Sequence, residues 1–121
     1  MRGDVTYVEQ WLRAFAVTAL VELGAALPLL REAEPSRIRR VGGVVVANLA
    51  THPVVWFVIP ALGMDYRASV TLSEAWAVGM ELVVYRLVFR LSLPRACAVS
   101  ALANGASFAV GLLLRFLTAW P

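Results

Sequence analysis

A chain of 121 residues that is 60% hydrophobic, with a mean hydropathy of +0.74, lies outside the composition of a water-soluble globular domain. Its 11 basic residues against 8 acidic ones give a formal net charge of +3. Every basic residue is arginine and none is interleaved with aromatics as in single-strand binding, so the excess points to membrane topology and lipid headgroups rather than nucleic acid.

The amino-terminal stretch "MRGDVTYVEQWLR" mixes Asp4 and Glu9 with its arginines, and no small-residue cleavage site follows the first apolar run, so no removable signal peptide is expected. Four apolar stretches follow, at 11–30, 41–60, 71–92 and 96–119. Each is near the ~20 residues that a helix needs to cross ~30 Å of hydrocarbon. The expected fold class is all-α: residues 1–121 form one domain, an integral membrane bundle of four transmembrane helices. Short connections make consecutive helices antiparallel neighbours.

The first stretch carries Glu22 near its middle and Pro28, which bends it. "REAEPSRIRR" follows, with Arg31, Arg37, Arg39 and Arg40 around a break at Pro35 and Ser36. The second stretch, "VVVANLATHPVVWFVIP", sets Asn48, Thr51 and His52 at i, i+3 and i+4, on one face of a helix. Pro53 withholds a hydrogen bond from the carbonyl of Leu49 and disfavours α geometry at His52, which predicts a kink where the polar face is densest. The freed carbonyl lines a cavity or is taken by the Thr51 hydroxyl. Pro60 and Gly63 end this helix, and the next connection holds only Arg67.

Thr71-Leu72-Ser73-Glu74 has capping-box spacing at the start of the third helix, which makes Glu74 a cap near the outer surface. Glu81 falls mid-helix with Tyr85 one turn later. Arg86, Arg90 and Arg95 surround the last connection, where Pro94 separates the third helix from the fourth. Cys97, the single cysteine, is expected to be a small hydrophobe too late in the chain for a lipoprotein anchor, and it excludes an intrachain disulfide and a cysteine-based zinc or iron–sulfur site within one chain. The fourth helix repeats the polar pattern with Ser100, Asn104 and Ser107. Ala101, Gly105 and Ala109, with Ser107 and Gly111, form small-residue ridges expected to seat it closely in the bundle.

The arginine-rich connections at 31–40 and 90–95 must share one face, so the positive-inside rule puts them in the cytoplasm with both termini outside. Trp11, Tyr66, Trp76 and Trp120 then gather at the outer headgroup boundary. At 1.5 Å per residue, Glu22, Asn48, His52, Glu81 and Asn104 reach similar depths of roughly 10–16 Å from the cytoplasmic ends, and they are expected to meet. Glu22, Asn48, Thr51, His52, Glu81 and Asn104 thus form the candidate site, because intramembrane ionisable residues cost at least ~2.5 kcal/mol each and do not face lipid.

No phosphate loop, nucleotide fingerprint, nucleophile elbow or His-Glu-x-x-His motif occurs. His52 with Glu22 and Glu81 offers metal-ligand chemistry, but without a Glu-x-x-His pair no metal or other cofactor is expected, and no enzymatic activity. Residues 41–119, through Asn48, Thr51, His52, Pro53, Glu74, Glu81, Ser100, Asn104 and Ser107, resemble a group of small bacterial four-helix membrane proteins. There an Asn-x-x-Thr-(Asn or His)-Pro segment precedes a glutamate-bearing helix and a Ser-x-x-x-Asn-x-x-Ser helix. The resemblance implies the four-helix fold and no particular activity. In length and in Glu22 within "TALVELGAA" the chain is also similar to small multidrug-resistance transporters, from which it departs at the Asn-Thr-His-Pro kink and at Glu81.

Two functional expectations follow. In the first, the polar cluster is interhelical glue in a non-enzymatic subunit or accessory protein of a membrane assembly, whose partners are the bilayer and other chains or copies of itself. In the second, Glu22 and Glu81 exchange protons with a small solute in a carrier.

Overall fold

A computed structural model describes residues 5–118, so Asp4 and Trp120 lie outside the described residues. The chain is all-helical, with four long helices: α1 (Tyr7–Leu30), α2 (Arg37–Pro53), α3 (Tyr66–Phe89) and α4 (Leu93–Leu117). Beyond Pro53 the path of α2 continues as a π-wound segment, Val54–Val58, and a 3-10 turn, Pro60–Leu62.

The helices begin earlier than the apolar stretches because polar caps precede them. Thr6 and Glu9 form a reciprocal capping box, with Thr6 N–H on Glu9 Oε2 at 3.0 Å and Glu9 N–H on Thr6 Oγ1 at 3.2 Å. Ser36, Asp65 and Ser92 cap α2, α3 and α4 through the N–H groups of Arg39, Ala68 and Arg95. Thr71 is therefore no cap. Asp65 starts α3 six positions upstream, at 2.8 Å from Ala68 N–H, and leaves Thr71 and Glu74 inside the helix. Pro94 likewise stands in the first turn of α4, where its missing N–H costs nothing, rather than between helices. The connections shrink to 31–36 and 90–92, and Arg90 closes α3 in the left-handed region at φ 53°.

Each helix packs on two others, α1 on α2 and α4, and α3 on α2 and α4, which closes a ring. Cross-helix pairs fix antiparallel senses: Arg40 meets Leu27 and Tyr7 meets Trp56 between α1 and the α2 path. Glu22 meets Ser107 and Glu32 meets Arg95 between α1 and α4. Arg31, Arg37, Arg39, Arg40, Arg86, Arg90 and Arg95 consequently share one end, while Tyr7, Trp11, Trp56 and Tyr66 lie towards the other.

The apolar core occupies the arginine end, where Leu30, Val44, Tyr85, Phe89, Leu91 and Val99 are buried together. Gly43 is what admits Phe89: a Cβ there would stand 2.7 Å from the ring's Cε2 and nearer still to Cζ. The ridge of Ala101, Gly105 and Ala109, by contrast, faces outward, and a Cβ on Gly105 would meet nothing within 4 Å. The buried face of α4 is instead Ala96, Val99, Ser100, Ala103 and Asn104. Small residues permit close approach without dictating which face is used.

Among the described residues, three helical stretches are long and apolar enough to cross a membrane: Tyr7–Leu30, Arg37–Leu62 and Leu93–Leu117. Arg67, Glu74, Glu81 and Arg86 lie along α3, which does not belong to that set.

Candidate functional site

Glu22, Asn48, Thr51, His52, Glu81 and Asn104 are all buried, from 0% exposure at Glu81 to 9% at His52. They divide into two groups with different environments.

The first group bonds across helices. Asn104 of α4 donates through Nδ2 to Glu81 Oε2 of α3, and the same nitrogen reaches Ser100 O at 2.9 Å. Ser107 Oγ lies 3.1 Å from Glu22 Oε1 of α1, and Ser100 Oγ donates to Val78 O of α3 at 2.8 Å. Glu22 and Glu81 are thus both held from α4, by Ser107 and by Asn104. Each keeps one buried oxygen, Glu22 Oε2 and Glu81 Oε1, with no hydrogen-bond partner among the described residues.

The second group is the stripe of α2, and it corrects the expectation that polar groups of four helices satisfy one another. Asn48 Nδ2 donates to Val44 O at 2.9 Å, and Thr51 Oγ1 donates to Ala47 O and Asn48 O at 3.1 and 3.3 Å, all within α2. Asn48 Oδ1 and His52 Nδ1 have no hydrogen-bond partner among the described residues. The stripe faces a cavity of about 420 Å³, which Glu22, Asn104 and Ser107 line from the opposite side.

That cavity runs from mid-bundle to the end away from the arginine cluster, where Tyr7, Tyr66, Ser69, Glu74 and Arg115 border it. Its mouth and wall were not legible as a site. Glu74, expected to be a cap, is half-buried and lines the cavity. Ser69 and Ser73 stand one turn apart on the same wall, a spacing that would have flagged them had α3 been started at Asp65.

Pro53 does not disturb α geometry at His52 as expected: α2 runs on through Pro53, and the break follows at Val54–Val58. The break is a change of winding, since Ile59 N–H reaches back to Val54 O at 2.9 Å, a π-type bond. Thr51 bonds Ala47 and Asn48 rather than Leu49, so its hydroxyl does not take the carbonyl that the proline frees. The widened turn aims Trp56 at the cavity, where its ring stacks over His52 with centroids 6.5 Å apart, and Trp56 O accepts the Tyr7 hydroxyl. Phe15 meets the imidazole edge-on at 5.4 Å.

Glu22 and His52 line one cavity, but Glu81 does not join them there. Among the described residues no group of three His, Cys, Asp or Glu side chains gathers closely enough to hold a metal ion. The arrangement offers the Glu22 carboxyl and the Asn48, Thr51 and His52 stripe on facing sides of one cavity, with aromatic faces near the mouth. Compared with known proteins, the chain matches no family model, no curated protein and no solved structure.

Proposed function

We propose that the chain is a non-enzymatic bacterial inner-membrane protein crossing the bilayer four times, with the connections 31–36 and 90–92 in the cytoplasm and both termini outside. The fourth crossing, α3, is supported by its neighbours. The Arg37–Leu62 and Leu93–Leu117 stretches are joined to it through 63–65 and 90–92, so its ends belong at opposite faces. Its 24 residues reach about 36 Å at 1.5 Å per residue. The clustering of seven arginines at one end supports the orientation.

Within that topology we read the protein as a proton-coupled carrier of a small solute. The observation that carries this reading is the α2 stripe. Asn48, Thr51 and His52 make no bond across helices, yet they are grouped on a cavity that Glu22, Asn104 and Ser107 line from the opposite side, and Asn104 in turn bonds Glu81. Interhelical glue would use its donors between helices, as Asn104 and Ser107 do. In this reading a solute entering from the outer end would exchange with protons carried by Glu22 and Glu81, and the apolar core at the arginine end would part to release it.

The test is flux. Liposomes holding the full chain and an internal pH dye are given a pH gradient and a panel of small amines, amino acids and carboxylates. At least one solute should move the internal pH, and Glu22→Gln and Glu81→Gln should insert and fold but give no signal. Silence across the panel, or undiminished flux in both variants, refutes the reading.

One observation favours association with a further helix. Ala101, Gly105 and Ala109 leave a smooth outward face on α4 that suits close packing by another chain or a second copy. Gly105→Leu should then abolish co-purification with that chain while leaving the bundle folded, and unchanged co-purification would exclude this face.

A further inference from the structure

The charges around the connection between α1 and α2 are paired unevenly. Glu34 Oε2 lies 3.9 Å from Arg39 Nη1, and Glu32 Oε2 lies 3.4 Å from Arg95 Nη2. Both carboxylates of the connection are thus engaged by Arg39 and Arg95, and Glu34 Oε1 also accepts the Ser36 N–H at 3.1 Å. Arg31, Arg37 and Arg40 have no carboxylate within ion-pairing distance among the described residues, and all three line one cavity of about 240 Å³. The rest of its wall is apolar, including Leu23, Leu27 and Pro28 of α1.

Arg40 is the member that most needs an anion. It is only 8% exposed, on the same stripe of α2 as Val44, Ala47 and Asn48. Its Nη1 donates to Leu27 O at 2.8 Å. That carbonyl is available because Arg31 N–H has turned to Pro28 O. Its Nε is buried with no partner. A guanidinium has five N–H donors, and a buried cation with one neutral acceptor is costly unless a counter-ion joins it.

Arg31 and Arg37 are exposed and stand at the rim. The carboxy-terminal end of α1 opposes an anion here while the amino-terminal end of α2 favours one, and three full charges outweigh both half-charges. Guanidinium forks fit phosphate oxygens in pairs. An apolar wall beside them, at the end of two helices apolar enough to cross a membrane, suits a phosphate with acyl chains attached better than a free ion.

We propose that this cavity binds the phosphate of an anionic membrane lipid, gripped by Arg40 from within and by Arg31 and Arg37 at the rim. The full chain, purified in mild detergent, is offered phosphatidylglycerol and phosphatidylcholine with identical acyl chains, and bound lipid is counted by native mass spectrometry. One phosphatidylglycerol per chain should be retained with a preference of about tenfold or more, because the choline ammonium offsets the phosphate charge and is repelled by the three guanidiniums, whereas the glycerol headgroup leaves the lipid net negative. The double variant Arg31→Gln/Arg37→Gln, at exposed positions, should stay folded and lose most of that preference. Arg40→Gln should abolish it, and Arg67→Gln at the far end of the bundle should leave it unchanged. Equal retention of both lipids by the natural chain, or a preference surviving the double variant, overturns the proposal. Thermal stabilisation by inorganic phosphate as large as that by the lipid assigns the cavity to a soluble anion and overturns it as well.

Discussion

Asn104 and Thr51 are almost equally buried, at 5% and 3% exposure, yet replacing them by apolar residues of similar size should have unequal effects. Asn104→Leu removes the donor to Glu81 Oε2, the one cross-helix bond of that oxygen, while Ser100 O keeps its helical N–H. An abandoned buried acceptor costs about 1–3 kcal/mol in water-soluble proteins. Cross-helix bonds in membrane bundles average ~0.6 and reach ~1.7 kcal/mol. A loss of about 1–2 kcal/mol is therefore expected, a factor of about 5–30 in the folding equilibrium. Thr51→Val removes only bonds to carbonyls of its own helix, which already have helical N–H partners, so a change within about 0.5 kcal/mol of either sign is expected. The assay is reversible unfolding in mixed micelles titrated with sodium dodecyl sulfate, followed by tryptophan fluorescence. Equal losses for the two variants would refute the division of the polar residues into cross-helix bonds on one side and a cavity wall on the other.

Gly43→Ala should destabilise by about 1–3 kcal/mol, because the Phe89 ring must leave its place in a filled core, and the same titration reads it. Arg90→Gly should stabilise by about 0.5–1 kcal/mol through relief of the left-handed backbone, measured as a higher unfolding midpoint. Glu32→Gln should shift that midpoint by less than about 1 kcal/mol, since its pair with Arg95 is solvent-exposed, and the shift should vanish in high salt.

Hydrophobic length and helical spacing carry most of what can be read in this sequence. Spacing puts Asn48, Thr51 and His52 on one face of α2 and Ser100, Asn104 and Ser107 on one face of α4, because the α-helical period is a property of the backbone alone. What each face meets depends on the rotation of the whole helix, which the same spacing leaves open. That is why a cavity rather than a partner lies against the α2 stripe, and why the Ala101, Gly105 and Ala109 ridge turns outward. Helix starts are misread because apolar windows detect only the hydrocarbon-crossing part, whereas Thr6, Ser36, Asp65 and Ser92 cap turns that lie outside it. Arg40 shows the cost: assigned to a connection, it is a buried residue of α2, and its place one turn before Val44 on the buried stripe is the signal that identifies it.

The functional reading depends on a cavity that opens at the end of the bundle opposite the arginine cluster and reaches down to the polar α2 stripe. Thiol labelling tests it most directly. In a Cys97→Ser background, Ser73→Cys on the cavity wall and Ala47→Cys in the apolar core are exposed, in sealed vesicles of known orientation, to a membrane-impermeant charged methanethiosulfonate. Ser73→Cys should react when the reagent is added from the aromatic end and not from the arginine end, and Ala47→Cys from neither. Labelling of Ser73→Cys from the arginine end, or no labelling of it from either, would contradict the account.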